Sequence, residues 1–234
     1  MPNHITTHIT GPNHVLSALL RPLTDEEKMN ALEDCQHRLS YRISRLKETK
    51  AETGEYPQTW YMNLDDPVEL ADQKRLVVDF NLIVPQPENM ETGGCTGTHA
   101  PGVVCWHQWN SNNWGTKWNA YDTIVELDEE TGFGIIKMET AWSHPFPVME
   151  ALMNKFPEDT FYVEWADEDT GYNVGEYKVQ EGKQVDYFDH SDTDEGRELA
   201  AVLNYGRHYA DVKAEWDAED EEYLAELEVE VDAE

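Results

Sequence analysis

The sequence predicts an α+β protein in which helices cover one face of an antiparallel sheet. From Arg75 to about Lys183 the chain alternates between β-branched runs and helical patterns, in the order strand, helical loop, strands, helix and hairpin. The composition is that of a folded chain, with 39% apolar and 11% aromatic residues. At 234 residues the chain is long enough to form a buried core with additions to it.

Residues 1–74 predict a strand followed by helices. The segment "HITTHITGP" alternates Ile5 and Ile9 with polar side chains and ends at a Gly-Pro pair, which is typical of a strand. A short helix is expected next. A long amphipathic helix then begins at Thr24, which forms a capping-box pattern with Glu27, and its apolar positions recur at three- and four-residue steps as far as Leu46.

Residues 75–183 predict the main sheet. "RLVVDFNLIVPQPE" is typical of a strand that leads into a loop at its prolines. After a tryptophan-rich segment, two strand patterns lie on either side of "DEETG". "HPFPVMEALMNKFP" predicts a helix with proline at its start, and "TFYVEWADEDTGYNVGEYKV" predicts a hairpin around an acidic turn.

Four of these motifs resemble a known family. "DFNLIVPQPE", "NWGTKWNAYD", "TAWSHPFPVMEALMNKFP" and "ADEDTGYNVGEY" are similar to the YubB/Api92-like proteins of phages and conjugative plasmids. The resemblance covers roughly residues 1–183 and depends mostly on the second and third motifs. It implies a ferredoxin-like fold, which is a topology and not an iron–sulfur cluster, and an origin in a mobile element. It implies no catalytic residues.

The predicted organisation therefore has three parts. Residues 1–74 form an N-terminal strand and a long helix that pack on the core, residues 75–183 form the ferredoxin-like domain, and residues 184–234 form an acidic C-terminal extension. The extension lies outside the family resemblance. It begins as a helix, and the final "LEVEVDAE" alternates strictly and therefore predicts a strand that presents Glu226, Glu228 and Glu230 on one face.

The acidic charge is concentrated in the second half of the chain. The formal net charge is −31; residues 1–124 hold 16 acidic and 10 basic side chains, whereas residues 125–234 hold 32 acidic and 7 basic ones. Such a field repels nucleic acids and anionic membranes. No apolar run is long enough for a membrane span, and the first residues do not look like a signal peptide, so we expect a cytoplasmic protein.

No pattern of catalytic or metal-binding residues stands out. The spacing of Cys95, His99 and Cys105 matches no zinc site, and residues 167–173 lack the glycine and the glutamate of a calcium loop. Ser143 and His144 are adjacent in sequence and do not form a relay. The three cysteines are expected to be reduced thiols. We therefore expect no metal, no cofactor and no enzymatic activity.

The tryptophan-rich segment 106–122 has two interpretations. Its tryptophans fill the core between sheet and helix while its asparagines bond to backbone in the turns. Alternatively the segment is a pocket whose aromatic faces stack a base or a sugar, which would make the protein a small-ligand or nucleotide-binding enzyme. The residues of such a pocket are Trp106, Trp109, Asn113, Trp114, Lys117, Trp118, Asn119 and Asp122.

The acidic segments also have two interpretations. A solvated acidic face raises solubility, and residues 211–234, with 12 acidic side chains and one lysine, need no other role. Alternatively the carboxylates imitate DNA phosphates and bind the basic, DNA-binding surface of a host protein such as a defence nuclease, without direct contact to nucleic acid. The predicted contact residues are Asp167, Glu168, Asp169, Asp217, Glu219, Asp220, Glu221, Glu222, Glu226, Glu228 and Glu230.

Overall fold

The computed structural model describes residues 3–30, 76–91 and 102–232. The chain divides into two compact units, Met1–Leu20 with Val78–Glu234, and Arg21–Val77. In chain order the strands are β1 (His4–Pro12), β2 (Leu20–Pro22), β3 (Leu76–Val78), β4 (Met90–Glu91), β5 (Val104–Cys105), β6 (Tyr121–Leu127), β7 (Phe133–Ala141), β8 (Phe161–Asp167), β9 (Gly175–Gln180) and β10 (Lys183–Asp189). The helices are α1 (Asn13–Ser17), α2 (Trp106–Asn113), α3 (Phe146–Lys155), α4 (Asp194–Tyr205) and α5 (Tyr209–Asp232).

The larger unit is built on a six-stranded sheet in the order β10-β9-β8-β1-β7-β6, in which all neighbours are antiparallel. If α1 and the short strands β2 to β5, which lie between β1 and α2, are set aside, four of these strands and two helices occur in the order β1, α2, β6, β7, α3 and β8. This βαββαβ succession, with β1 between β7 and β8, is the ferredoxin-like topology. The fold class predicted from the sequence is thus confirmed, and the hairpin β9–β10 extends the sheet beyond β8.

Strand β1 lies inside this sheet, although the sequence division assigns it to the N-terminal part. Its side chains alternate as predicted, and Ile5 and Ile9 are fully buried. The sequence pattern identified the strand but not its neighbours, because its pairing partners are more than 120 residues away in the chain.

The main core lies on one face of the sheet. Ile5 and Ile9 pack there with apolar residues of α1 and α3 and with Trp114, which follows α2. A smaller cluster on the opposite face joins Ala166 and Val174 to Ala200 and Leu203 of α4. Helices therefore cover one face of the sheet, and α4 covers part of the other. We call the rest of that second face the open face.

Two segments predicted as strands have other structures. In "DFNLIV", β3 ends at Val78 and a 3-10 helix spans Phe80–Leu82, because the Asp79 carboxylate accepts the Asn81 N–H at 3.0 Å and caps it. "LEVEV" lies within α5. A continuing helix satisfies its own backbone groups, whereas an isolated strand needs a partner.

One further expectation is wrong. Cys105 is disulfide-bonded and is not a reduced thiol. The absence of a C-x-x-C pattern excludes only closely spaced pairs, so it does not exclude a bond between distant cysteines. Cys35 and Cys95 lie outside the described residues.

In the smaller unit, the predicted start of the long helix is confirmed. The chain is helical from residue 25, Thr24 Oγ1 accepts the Glu27 N–H at 3.2 Å, and Glu27 Oε2 accepts the Thr24 N–H at 2.7 Å. These two reciprocal bonds form a capping box. The remainder of the predicted helix, beyond residue 30, lies outside the described part of the chain. None of the described helices is long and apolar enough to cross a membrane.

Candidate protein-binding surface

The acidic helix α5 begins at a sharp turn after α4. Gly206 adopts a left-handed conformation, with φ of 66°, and ends α4. The Glu198 carboxylate of α4 then accepts the Tyr209 N–H at 2.9 Å and lies 2.5 Å from His208 Nδ1. This hydrogen bond raises the pKa of His208 and lowers that of Glu198. A charged carboxylate therefore holds the first turn of α5.

Removing this carboxylate should loosen the start of α5. In Glu198→Ala the Tyr209 amide and the His208 ring lose their acceptor, so we expect faster hydrogen exchange at the first amides of α5. Native-state exchange measured by NMR tests this. Glu195→Ala, an exposed residue of the same helix, is the control. Unchanged exchange at the Tyr209 amide in Glu198→Ala would show that the carboxylate does not fix the helix start.

Among the described side chains of α5, only those of the first turns pack against the protein. Val212 is buried, and Trp216 makes an edge-on contact with Tyr205 of α4 at 5.8 Å between ring centroids. Residues 217–221 are all exposed. The charged part of α5 is therefore available to another molecule.

The exposed carboxylates of α5 are dense. Residues 211–221 carry six acidic side chains and one lysine, and at about 1.5 Å per helical residue they span about 15 Å. Lys213 binds Asp217, with Nζ–Oδ distances of 2.6 Å, so its charge is already paired. The net spacing is about one charge per 3 Å, compared with about one per 1.7 Å along B-DNA.

Large apolar side chains lie among these carboxylates. The residues Trp216, Tyr223 and Leu224 are 36%, 61% and 59% exposed. Spacings of seven and eight residues place Tyr223 and Leu224 on the side of α5 that carries Trp216. Exposed aromatic and aliphatic groups of this kind are typical of protein-binding surfaces. We call the side chains of Trp216, Glu219, Asp220, Glu221, Tyr223 and Leu224 the acidic helix surface.

The other predicted acidic contacts are only partly at the surface. Glu168 and Asp169 are exposed, but Asp167 is 1% exposed. Its carboxylate accepts hydrogen bonds from Asn3 Nδ2 at 3.2 Å and from the Asp169 N–H at 3.1 Å. Asp167 therefore stabilises the turn, and the expectation that it contacts a partner is wrong. Glu222, Glu226, Glu228 and Glu230 lie on α5, and their side chains are outside the described part of the chain.

The tryptophans of segment 106–122 divide between core and surface. Trp114 is 2% exposed, donates from Nε1 to the Val84 carbonyl at 2.8 Å and packs edge-on against Phe80. Half-buried Trp109 packs edge-on against Trp114. Trp118 is exposed, with Lys117 Nζ 4.6 Å from its ring centroid, so a core role is wrong for Trp118. Trp106 is also half-buried.

The amides of the same segment hold the fold. Asn113 Nδ2 donates to the Trp109 carbonyl at 2.8 Å. Asn119 Oδ1 accepts the Phe80 N–H at 3.0 Å, while its Nδ2 donates to Asp79 Oδ1 at 2.8 Å. These amide groups are therefore not available to form hydrogen bonds with a ligand. Exposed Asp122, with φ of 45°, lies at an irregularity in the pairing of β6.

The open face was not predicted from the sequence. Half-buried Glu164 of β8 lies between His8 of β1 and Glu176 of β9, each directly opposite it in the strand register. Burial, with a smaller effect from Lys137, lowers the pKa of His8 to about 4. Among the described residues, no three His, Cys, Asp or Glu side chains are arranged to hold a metal ion.

The fold and the surface define an α+β protein of ferredoxin-like topology with an exposed acidic C-terminal helix. Residues 113–226 match the family model described as the ferredoxin-like domain in Api92-like protein. The resemblance to Api92-like proteins found in the sequence is thus confirmed. Its expected bounds are wrong, because the match includes residues 184–226 of the C-terminal extension, which were expected to lie outside it. The family description names a fold and no activity.

The crystal structure of a protein Api92 from Yersinia pseudotuberculosis is similar, with 12% sequence identity and a TM-score of 0.44, over 81% of this chain and 98% of that chain. The comparison with curated proteins gives no match.

Proposed function

We propose that this protein binds a basic host protein through the acidic helix surface, as a non-enzymatic protein that originates from a phage or plasmid. The observation that carries the proposal is the exposure of α5. Beyond Val212 the helix keeps both carboxylates and large apolar side chains in solvent. A monomer gains no stability from exposing Tyr223 and Leu224, whereas a partner that covers them gains apolar burial.

The two kinds of side chain have different roles in this binding. Carboxylates attract a basic surface over long range and speed association. The apolar side chains then supply contact area at the centre of the interface, where aromatic residues contribute most of the binding energy. The partner is therefore expected to combine a basic surface with an apolar groove.

A DNA-binding groove is the sharpest version of such a partner. The charge spacing along residues 211–221, about half as dense as that of B-DNA, supports partial imitation of a phosphate backbone. A host nuclease or another DNA-handling protein has a groove of the required charge. Occupation of that groove would inhibit the host protein.

The alternative of a small-ligand or nucleotide-binding enzyme is less favoured. The hydrogen bonds of Asn113 and Asn119 already hold the fold, and Trp114 is in the core. No other group in segment 106–122 gives a reason to prefer it.

Charge reversal on α5 tests the proposal. Glu219, Asp220 and Glu221 are exposed, so replacing all three with lysine should leave the fold intact and weaken binding of the host partner at least tenfold, mainly through a slower association rate. The partner is first captured from host lysate at low salt and released at about 300 mM salt. Surface plasmon resonance then gives both rates.

A matched variant controls for net charge. Glu129, Glu130 and Glu158 are also exposed and lie in another part of the larger unit. Their replacement with lysine should change partner affinity much less. If both triple variants lose the same affinity, the net charge of the protein and not the acidic helix surface determines binding.

Competition with duplex DNA tests the imitation of DNA. If the partner uses one groove for both ligands, duplex DNA should displace this protein. A ternary complex of partner, DNA and this protein would exclude the imitation and leave only acidic protein binding.

A further inference from the structure

The open face contains a cavity of a size suited to a side chain or small ligand. It has a volume of about 510 Å³ and lies over β8, β9 and β10. Its lining combines aromatic and charged residues. Those used in the argument are Tyr162, Glu164, Glu176, Lys178, Asp186 and Phe188.

Two carboxylates meet in this cavity. Glu164 and Glu176 are directly opposite each other on neighbouring antiparallel strands. Their Cβ atoms are therefore about 5 Å apart, and two side chains of like charge are neighbours. Glu176 binds His190 Nε2 at 3.2 Å. Glu164, in contrast, has no hydrogen bond or ion pair with any of the described side chains. Burial and the charge of Glu176 raise the pKa of Glu164, as expected for a half-buried carboxylate without a cation.

Two exposed aromatic rings line the cavity with the carboxylates. Tyr162 precedes Glu164 by two residues on the same side of β8 and is 49% exposed. Phe188, opposite Glu176 in the register, is 52% exposed and stacks on His190 with an interplanar angle of 16°. Lys178 Nζ lies over the ring of Tyr162, 6.0 Å from its centroid, so this ring already attracts a cation.

We propose that this cavity binds the guanidinium group of an arginine side chain of the partner. A guanidinium is planar and delocalised, donates parallel hydrogen bonds to a carboxylate and stacks on aromatic rings. Glu164 offers an unpaired carboxylate, Tyr162 offers a ring two residues away on the same strand, and Phe188 offers a ring on the second strand across the cavity. An anionic ligand such as a phosphate is disfavoured by Glu164, Glu176 and Asp186. The inference rests on the proposed function, because it is the basic partner that supplies the arginine.

The test uses short peptides with the full-length protein. The probe is the tripeptide Gly-Arg-Gly, and its binding is monitored by NMR at low salt. We expect shifts at the amides of Tyr162, Glu164, Glu176 and Phe188. The same peptide with citrulline, which keeps the shape and lacks the charge, should cause none. No shifts at these amides, or equal binding of Gly-Lys-Gly, would overturn the assignment of a guanidinium site.

Glu164→Gln is the decisive variant. It should weaken binding of the arginine peptide about tenfold, because a charge-assisted hydrogen bond is replaced by a neutral one. It should also keep or raise the melting temperature, since it removes a like-charge contact, and this readout separates a binding role from a structural one. The control is Glu126→Gln, on another strand of the sheet and 3.6 Å from Lys137, which should bind the peptide as the wild type does. Wild-type affinity in Glu164→Gln would overturn the proposal.

The variants also distinguish this site from the acidic helix surface. The lysine triple variant at positions 219–221 should bind the arginine peptide with unchanged affinity. Loss of host-partner binding in that variant, with peptide binding retained, supports two separate contacts. If that variant keeps its affinity for the host partner, the acidic helix surface is excluded as a partner-binding site, and the guanidinium site is not. If Glu164→Gln binds the host partner as tightly as the wild type, the partner does not supply the arginine and this inference is wrong.

Discussion

Trp114→Ala should lower the free energy of unfolding by about 3–5 kcal/mol, as large-to-small substitutions of buried aromatic residues do. Trp114 is 2% exposed, and its ring contacts those of Phe80 and Trp109 at centroid distances of 5.7 and 5.6 Å. The substitution leaves a cavity between these rings. It also leaves the Val84 carbonyl without the indole donor. Urea denaturation followed by circular dichroism measures the change.

Trp118→Ala is the matched control. Trp118 is in the same segment but is 36% exposed, and the ammonium group of Lys117 lies 4.6 Å from its ring centroid. We expect a loss of no more than about 1 kcal/mol, the value of an exposed cation–π contact. Equal losses in the two variants would contradict the division of the segment into core and surface.

The second large effect is a loss of stability on acidification that depends on His144. This residue is buried between sheet and helix. Its Nδ1 lies 3.2 Å from Thr7 Oγ1, its Nε2 lies 3.0 Å from the Tyr177 hydroxyl, and its ring stacks on Trp165 at 5.1 Å. Burial lowers the pKa of His144 to about 3, so the ring is neutral in the folded protein.

The sign of the effect follows from proton binding. In the unfolded chain the pKa of His144 is about 6.5. As the pH falls from 6.5 towards 3, the unfolded chain binds a proton that the folded protein excludes, so stability present above pH 6.5 is lost. At about 1.36 kcal/mol per pH unit, the loss is about 2 kcal/mol at pH 5. His8, whose pKa is about 4, adds to it.

A variant isolates this contribution, because acidification also reduces the net negative charge and its self-repulsion, which acts in the opposite direction. His144→Gln removes the titrating ring and leaves the rest of the charge unchanged near neutral pH. Between about pH 6.5 and about pH 5 its stability should fall by about 2 kcal/mol less than that of the wild type. Urea denaturation at both pH values measures the difference. Equal pH dependence would show that His144 gains a proton without unfolding.

The sequence predicted those elements whose patterns are local. The alternation around Ile5 and Ile9 identified β1, and the proline before "VMEALM" identified α3. "LEVEV" was misleading because strict alternation is also compatible with the end of a long polar helix. "DFNLIV" was misleading because Asp79 caps a 3-10 helix within an apolar run.

The open face and the buried polar network around His144 could not be predicted without the strand register. Thr7 and His144 are 137 residues apart, and no local pattern brings them together. Glu164 and Glu176 become neighbours only when β8 and β9 pair in one particular register. A shift of one residue would turn both side chains to the other face of the sheet. Charge counting could locate the acidic half of the chain, but not the carboxylate that lacks a cation.

The central position of β1 has a consequence for how the chain folds during synthesis. β1 leaves the ribosome first, yet its partners β7 and β8 begin more than 120 residues later. At about 5–20 residues per second, β1 waits about 6–25 s for the first of them. During this time both edges of the strand are unpaired, and Ile5 and Ile9 have no core to enter. Until the sheet closes around it, β1 is therefore an unpaired and partly apolar segment of the nascent chain, of the kind that favours aggregation.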